Sequence, residues 1–452
     1  MTLKLYETAT RKLQEVITTN DEISIYCCGP TVYRDAHVGN LRTFLLADLV
    51  RRTLEVTGST VNMVQNITDV GHMSEDFQEQ DKILAQSADE KIDPFDVARK
   101  YEANFHKDLS RLNIRQANKY PRASESIELM HESIQILIEK NFAYIGKDRN
   151  VYFDARSFAT YGAISGNRLD ALKPGHRYEY TEKGDKRFHA DWALWKSAGD
   201  RKEMIWDSPW GPGFPGWHIE CSAMSLFYLK KHIDIHIGGI DLRFPHHENE
   251  RAQSNAIIGT EAVDLWLHGE HLLFEGRKMS KSSGNVVLLQ DVIDKGFDPL
   301  SLRLCFLENR YRSQMDLTWD SIAAANSTLK RWRQKLMNWA VNEDFYDSEF
   351  VALLENDLDT PKAIQYLRSI EKDDSIQNHG SIFAFADKVL GLELTREEIV
   401  LPLTLQQLAL LEERLLARKG KNWQESDRLR VELEATGLEI VDSAEGQSWS
   451  WR

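Results

Sequence analysis

Cysteine is scarce, with four residues in 452. So few in so long a chain exclude a disulfide framework and point to a reducing, cytoplasmic setting. Long apolar runs are missing too. None approaches the ~18 residues a membrane span needs, and mean hydropathy is −0.46, so no membrane association is expected. Met1-Thr2-Leu3-Lys4-Leu5-Tyr6 opens no extended apolar stretch, and no secretory leader is read there. Positive charge is in deficit. Lys and Arg number 56 against 70 Asp and Glu, a net charge of −14. That excludes a uniformly basic nucleic-acid coat but leaves room for a local basic patch on an acidic body. The sequence also shows no internal repeat and no low-complexity linker.

What is present is enough for about two to four domains. Ile23-Ser24-Ile25-Tyr26-Cys27-Cys28 is a short β-rich run stopped by Gly29-Pro30. Leu41 to Val56 then carries apolar residues near helical spacing, and Gly58 is placed to cap that helix. Val61 to Ile67 reads as a second strand. Strand, helix, strand in this order predicts a parallel βαβ unit. Pro94 to Lys140 is helical in pattern. Asn150 to Gly216, rich in Gly, Pro and aromatics, reads as an insertion between two halves of a sheet domain. Strand patterning returns at Ile233–Ile237, ahead of Gly238-Gly239. From Asp316 the periodicity is helical, over Ile322–Val341, Ser348–Ile370 and Thr404–Ala417. The tail after Gly437 reads as a hairpin or coil.

Two segments carry phosphate chemistry. His37-Val38-Gly39-Asn40 lies between a strand and a helix, where free N–H groups and the positive dipole end suit an anion. Gly39 admits close approach and His37 can donate to a phosphate oxygen. By itself the pattern also describes an ordinary turn with a surface histidine. Lys278-Met279-Ser280-Lys281-Ser282-Ser283-Gly284-Asn285 supplies two lysines and three hydroxyls in a loop, a cationic clamp for a triphosphate. The plain alternative is a solvated basic loop.

Together the two segments resemble the HIGH and KMSKS signatures of class I aminoacyl-tRNA synthetases, with Asn40 in place of the last histidine of the first. Cys28-Gly29-Pro30-Thr31-Val32-Tyr33, Asn66-Ile67-Thr68-Asp69, Gly216 to Met224, Gly238 to Glu250 and Glu445-Gly446-Gln447-Ser448-Trp449 narrow the resemblance to the cysteine–tRNA ligase family. It runs from about Leu5 to Arg452.

The resemblance implies ATP contacts at His37, Gly39, Asn40, Gly239, Asp241 and Lys281, with Asp241 accepting from a ribose hydroxyl. Catalytic roles fall on His37, Asn40, Lys278 and Lys281, and the cysteine pocket on Gly29, Thr68 and Trp217. It also places zinc ligands, for one ion per chain, on Cys28, Cys221, His246 and Glu250. Read from the residues alone, His246 and Glu250 share a helix face and two thiols complete a tetrahedral set. Isolated cysteines are, however, more often buried apolar fillers. Strand alternation lets only one of Cys27 and Cys28 enter such a site, and the alignment favours Cys28. Cys305 reads as core. A soft metal that binds cysteine's sulfur would separate it from serine, which shape does poorly.

The implied fold is α/β. A Rossmann-like parallel-sheet catalytic domain is split as 1–115 and 216–265 around an insertion, 116–215. A connecting fold with the lysine loop (266–317), a helical anticodon-binding domain (318–400) and a small C-terminal tRNA-recognition domain (401–452) follow. The implied activity is ATP-dependent ligation of L-cysteine to tRNA(Cys) through a cysteinyl-adenylate, with Mg2+ accompanying ATP and a monomer as the working unit. Lys330-Arg331-Trp332-Arg333-Gln334-Lys335 and Arg414 to Arg430 mix basic and aromatic residues suited to RNA phosphates and bases. Two other readings share parts of this pattern. One is a ligase that transfers cysteine to an amino sugar; the other is a non-catalytic RNA-binding relative.

Overall fold

In the computed structural model, residues 2–17, 22–71, 81–173, 185–279, 284–396, 403–443 and 446–451 are described. The chain forms two compact units, Met1–Leu394 and Thr395–Arg452.

The first unit is built on a four-stranded sheet. β1 (Glu22–Cys27) is followed by α1 (Val38–Val56) and β2 (Thr60–Gln65). After the insertion come α2 (Trp217–Tyr228), β3 (Ile233–Gly239), α3 (His246–Ile258) and β4 (Val263–Gly269). Strand order is β4-β3-β1-β2 and every pairing is parallel, with Ile25 opposite Ile235 and Cys27 opposite Gln65. Most positions on both faces are buried, yet the strands alternate apolar with polar residues, as at Ser24, Asn62, Asp234 and His236. β1 and β3 lie side by side while their following helices lead to opposite edges. That is a topological switch point, where ligands bind outside the carboxyl ends of the strands.

The insertion is a second sheet of antiparallel strands, Ala143–Ile145, Val151–Phe153, Trp192–Ser197 and Gly213–Pro215. Ahead of it, the expected helical stretch 94–140 is two helices, Pro94–Arg111 and Ile127–Glu139. Asn113 turns at φ 50° and Pro121 cannot continue a helix. The expected helix 348–370 is likewise divided, into Ser348–Glu355 and Thr360–Lys372. Asp357 and Leu358 hold positive φ, and Asp359 caps the new helix with Pro361 in its first turn. The hairpin read in the tail forms between Leu438–Ser443 and Gly446–Trp451. In the second unit it joins the helices Leu405–Lys419 and Trp423–Ala435 around Leu410, Leu429, Leu433 and Ile440.

One buried ionic node fixes α1. Arg303, fully buried, donates to Asp48 Oδ2 at 2.6 Å and to the carbonyls of Leu112, Asn113 and Leu390. Asp48 also accepts from Arg52 Nε at 2.8 Å and from the Arg115 N–H at 3.0 Å. Every donor of this node has a partner in the low-dielectric interior, the condition under which buried charge is tolerated.

Candidate active site and metal centre

A cleft of about 300 Å³ opens at the carboxyl ends of β1 and β3. Its lining brings together Cys28, Gly29, His37, Asn40, Thr68, Trp217, Cys221, Gly239, Asp241 and His246, residues spread over most of the first 250 positions. Glu250 lies beneath the lining, 1% exposed. Gly39 sits inside the first turn of α1 rather than on the cleft wall. A Cβ there would lie 3.0 Å from the His37 ring and 3.1 Å from Met279 Cε. Lys278 is exposed and outside the lining. Lys281, with Ser280, Ser282 and Ser283, falls outside the described residues. The segments flanking that loop are placed, however. Met279 reaches Gly39, and the Val38 N–H donates to Val287 O at 3.0 Å.

The first turn of α1 starts three residues earlier than the apolar pattern showed, because His37 is its N-cap. His37 Nδ1 accepts from the Asn40 N–H and Asn40 Oδ1 accepts from the His37 N–H, both at 3.2 Å. A histidine used as an acceptor at Nδ1 carries its proton on Nε2. Burial, aided by Arg34, lowers the His37 pKa to about 4 against the opposing pull of Asp241. The imidazole is therefore a neutral donor above that pH, placed at the positive end of a 19-residue helix.

Gly29 is required by backbone proximity. Its N–H donates to Asn66 Oδ1 at 2.8 Å, and a Cβ would stand 1.6 Å from the Asn66 carbonyl oxygen. Asn66 Nδ2 donates to Thr68 Oγ1, which donates to the buried Glu220. Thr68 is thus oriented by its own chain. Trp217 stacks on His246 with ring centroids 4.2 Å apart.

Under the cleft lies a cluster of soft and hard donors. Cys28, Cys221, His246 and Glu250 present ligand atoms all within 4.8 Å of one another, and all four are buried. Cys28 Sγ is 4.0 Å from Cys221 Sγ and 3.7 Å from Glu250 Oε1, and His246 Nε2 is 2.8 Å from the same oxygen. Tetrahedral coordination separates N, O and S ligands by roughly 3.3–3.8 Å. Cys27 turns the other way, into the apolar core, with Sγ against Gln65 Nε2 at 3.6 Å. Burial raises the Cys27 thiol to about 12. Cys221 differs. Burial pushes it up, but hydrogen bonds from Cys28 and His246 bring it down to about 7. Burial raises the Glu250 carboxyl. Glu250 Oε2 has no hydrogen-bond partner among the described residues. A buried carboxylate with one oxygen orphaned and the other facing a thiol and an imidazole is what a cation would satisfy, so the residues fit a metal such as zinc.

Residues 14–327 match the family described as tRNA synthetases class I (C) catalytic domain. The cysteine–tRNA ligase of Thermus thermophilus is 38% identical over 99% of both chains, and that of Treponema denticola 36% identical over 99% of both. The chain belongs to the cysteine–tRNA ligase family. Among solved structures, a methionyl-tRNA synthetase of Mycobacterium tuberculosis in complex with methionyl-adenylate shares the fold. It has a TM-score of 0.56 at 13% identity, over 82% of this chain and 90% of that one. The LeuRS of Agrobacterium radiobacter K84, from a ternary complex, gives 0.58 at 11% over 82% and 83%. At such identities these two speak to fold alone, and the fold is that of the class I tRNA synthetases.

For this member of the cysteine–tRNA ligase family one expectation needs correction. Trp332 and Arg333 are not a surface for RNA. Trp332 is fully buried, its Nε1 donating to Glu371, and Arg333 is held by Asp298 and the Leu392 carbonyl. Arg331 and Lys335 also pair with Glu371. Arg414 is buried against Asp442, and Arg428 and Arg430 pair with glutamates on their own helix. A charge run shows no distinction between such a face and a binding surface. Trp423, 57% exposed, and its neighbours Lys419 and Lys421 stay accessible. Sequence reasoning also passed over His218, His236, His247 and His268, all buried around the metal cluster. The signal was available, since Asp234 and His236 put two polar side chains on one face of a strand between isoleucines.

Proposed function

We propose that this chain joins L-cysteine to ATP and then to the 3′ end of tRNA(Cys), and that Cys28, Cys221, His246 and Glu250 hold one zinc ion that selects cysteine. The observation that carries the reading is the stack of that donor set directly under a cleft whose rim is the capped start of α1. Zinc in this set supplies a soft Lewis acid for which a thiolate is preferred over a hydroxyl. The rest is done by the chain. Trp217 and Thr68 close the cysteine pocket, with Thr68 fixed by Asn66 and Glu220. Asp241, at the end of β3, faces the ribose. Gly39 lets the His37 ring and Met279 pack close against the first turn of α1, the turn toward which the phosphates of Mg2+-bound ATP are directed. His37, neutral and protonated on Nε2, donates to the phosphoryl group as the cysteine carboxylate attacks the α-phosphate. Lys278 and Lys281 offset the charge that develops on pyrophosphate. No general base is needed, since the carboxylate is already ionised, and positioning and electrostatics carry the step.

We assign tRNA recognition to the residues beyond Asp316, with Lys419, Lys421 and Trp423 as the accessible cation and aromatic groups of the second unit. We keep the partition 1–115, 116–215, 216–265, 266–317, 318–400 and 401–452 as the division of labour within the chain. No helix among the described residues is long and apolar enough to cross a membrane. The test is ATP–pyrophosphate exchange with each amino acid in turn, followed by transfer of labelled cysteine to tRNA or to an amino-sugar acceptor. Exchange with cysteine and transfer to tRNA are expected. Exchange with none, or transfer to the sugar alone, overturns the reading.

A further inference from the structure

Cys28 and Glu250 each face two ways. Besides the set completed by Cys221 and His246, a second four-donor set is completed by His236 and His247, again buried and again within 4.8 Å. Cys28 Sγ lies 3.5 Å from His236 Nε2 and 3.3 Å from His247 Nε2, and His236 Nε2 is 3.4 Å from Glu250 Oε2. These separations fall at the roughly 3.3–3.8 Å edges of a zinc tetrahedron, whereas those of the first set scatter from 2.8 to 4.0 Å. The two sets differ in access. Cys28, Cys221 and His246 line the cleft, whereas His236 and His247 do not.

We propose that His236 and His247, with Cys28 and Glu250, form a second, inner divalent-cation position directly beneath the first. The two positions are alternatives for a single ion, Cys28 and Glu250 serving whichever one it takes. The proposal rests on the outer set being the primary zinc site. His247 is prepared for ligation. Its Nδ1 meets His268 Nε2 at 2.8 Å, and His268 Nδ1 meets Thr8 Oγ1 at 2.7 Å. Protons placed on the two Nδ1 atoms satisfy that whole chain and leave His247 Nε2 bare toward Cys28. His236 is less well supported. Ligation through Nε2 puts its proton on Nδ1, which has no hydrogen-bond partner among the described residues. The outer ligand His246, by contrast, has His218 Nδ1 at 2.8 Å from its remote nitrogen. A missing outer-shell partner typically costs about 10–100-fold in metal affinity. The inner position is therefore the weaker one, filled when an outer ligand is lost, and closed to the cleft, so an ion there is withdrawn from the substrate's sulfur.

The test measures zinc stoichiometry and X-ray absorption fine structure on the full-length protein, with folding checked by circular dichroism. Wild type is expected to bind one zinc with two sulfur neighbours. Cys221→Ala is expected to keep one zinc with a single sulfur, about 10–100-fold weaker against a chelator, and to lose it when His236→Ala is added. His246→Ala reports independently. Retreat to the inner position leaves one sulfur neighbour, whereas an ion that stays outside keeps two. Folded Cys221→Ala without zinc, zinc in that variant indifferent to His236→Ala, or two sulfurs in His246→Ala each overturn the inner position. A single sulfur in wild type would instead make the inner position primary and overturn the outer assignment.

Discussion

Gly29→Ala puts a methyl group where the backbone leaves no space. The new Cβ would lie 1.6 Å from the Asn66 carbonyl oxygen and 2.7 Å from its carbon. The obstruction is backbone, so no side-chain rotation relieves it. The segment after β1 and the segment after β2 must part by roughly 1.5 Å to restore an ordinary carbon–oxygen contact. The first carries Cys28 and the second carries Thr68, so the separation widens the cysteine pocket across its middle. It also stretches the Gly29 N–H to Asn66 Oδ1 bond, now 2.8 Å. A misplacement of about 1 Å in a positioned site costs on the order of 10²-fold in rate, equivalent to about 2.7 kcal/mol. We expect Gly29→Ala to lower kcat/KM for cysteine in ATP–pyrophosphate exchange by at least about that factor. ATP affinity should change little, since His37 and Asp241 lie on other segments. A variant that melts cooperatively near wild type yet exchanges within about threefold of it would refute the argument, because the clash would then be absorbed without moving the pocket.

Asp48→Ala removes the counter-charge of Arg303 and Arg52 in the interior. It should cost about 3–5 kcal/mol in denaturant unfolding, and a loss under about 1 kcal/mol would show that the node is not buried as described. Glu371 is raised by burial, but hydrogen bonds from Arg331, Trp332 and Lys335 hold it at about 2, below the ordinary 4.5. A depressed carboxylate stabilises the fold above its unfolded pKa and loses that effect as pH falls toward 2. Glu371→Gln should thus be less stable than wild type at pH 6, with the gap closing between about pH 4.5 and pH 2; a pH-independent gap contradicts this. Stripping the metal with a chelator should abolish preference for cysteine over serine in exchange, and an unchanged preference would remove the metal from selection. Residues 1–394, a compact unit by themselves, should keep cysteine-dependent exchange and lose most tRNA charging. Full-length protein should bind tRNA more weakly as salt rises.

The central strands were legible because isoleucine recurs at every second position, as at Ile23 and Ile25 and at Ile233, Ile235 and Ile237. Helix limits were less so. The apolar pattern of α1 begins at Leu41, while the cap at His37 is a hydrogen-bonding event that hydropathy does not register. Asp359-Thr360-Pro361 was a readable restart signal within 348–370. Motif identity gathered most of the cleft residues, but it spoke of contacts to ligands and so passed over the histidines behind them. Their role depends on the β3–β4 and α3 packing, which brings His236, His247 and His268 together from different elements. The run Lys330–Lys335 misled for the opposite reason. Charge and aromaticity were visible, whereas the partner Glu371, 40 residues further on, was not.

The order of strands also dictates an order of events during synthesis. β1 pairs with β2 soon after both leave the ribosome, but its other neighbour β3 comes about 210 residues later, with Ile25 waiting for Ile235. Cys28 and Glu250 are separated by 222 residues. At about 5–20 residues per second this is a delay of roughly 10–40 s. Throughout it, the half-sheet bears an unpaired edge and two adjacent thiols that later lie buried. The donor cluster therefore cannot assemble until residue 250 has been made, long after the first strand pair is complete. Any nascent chain released before residue 250 carries the start of α1 with its histidine cap, yet lacks the carboxylate that completes the donor set beneath it.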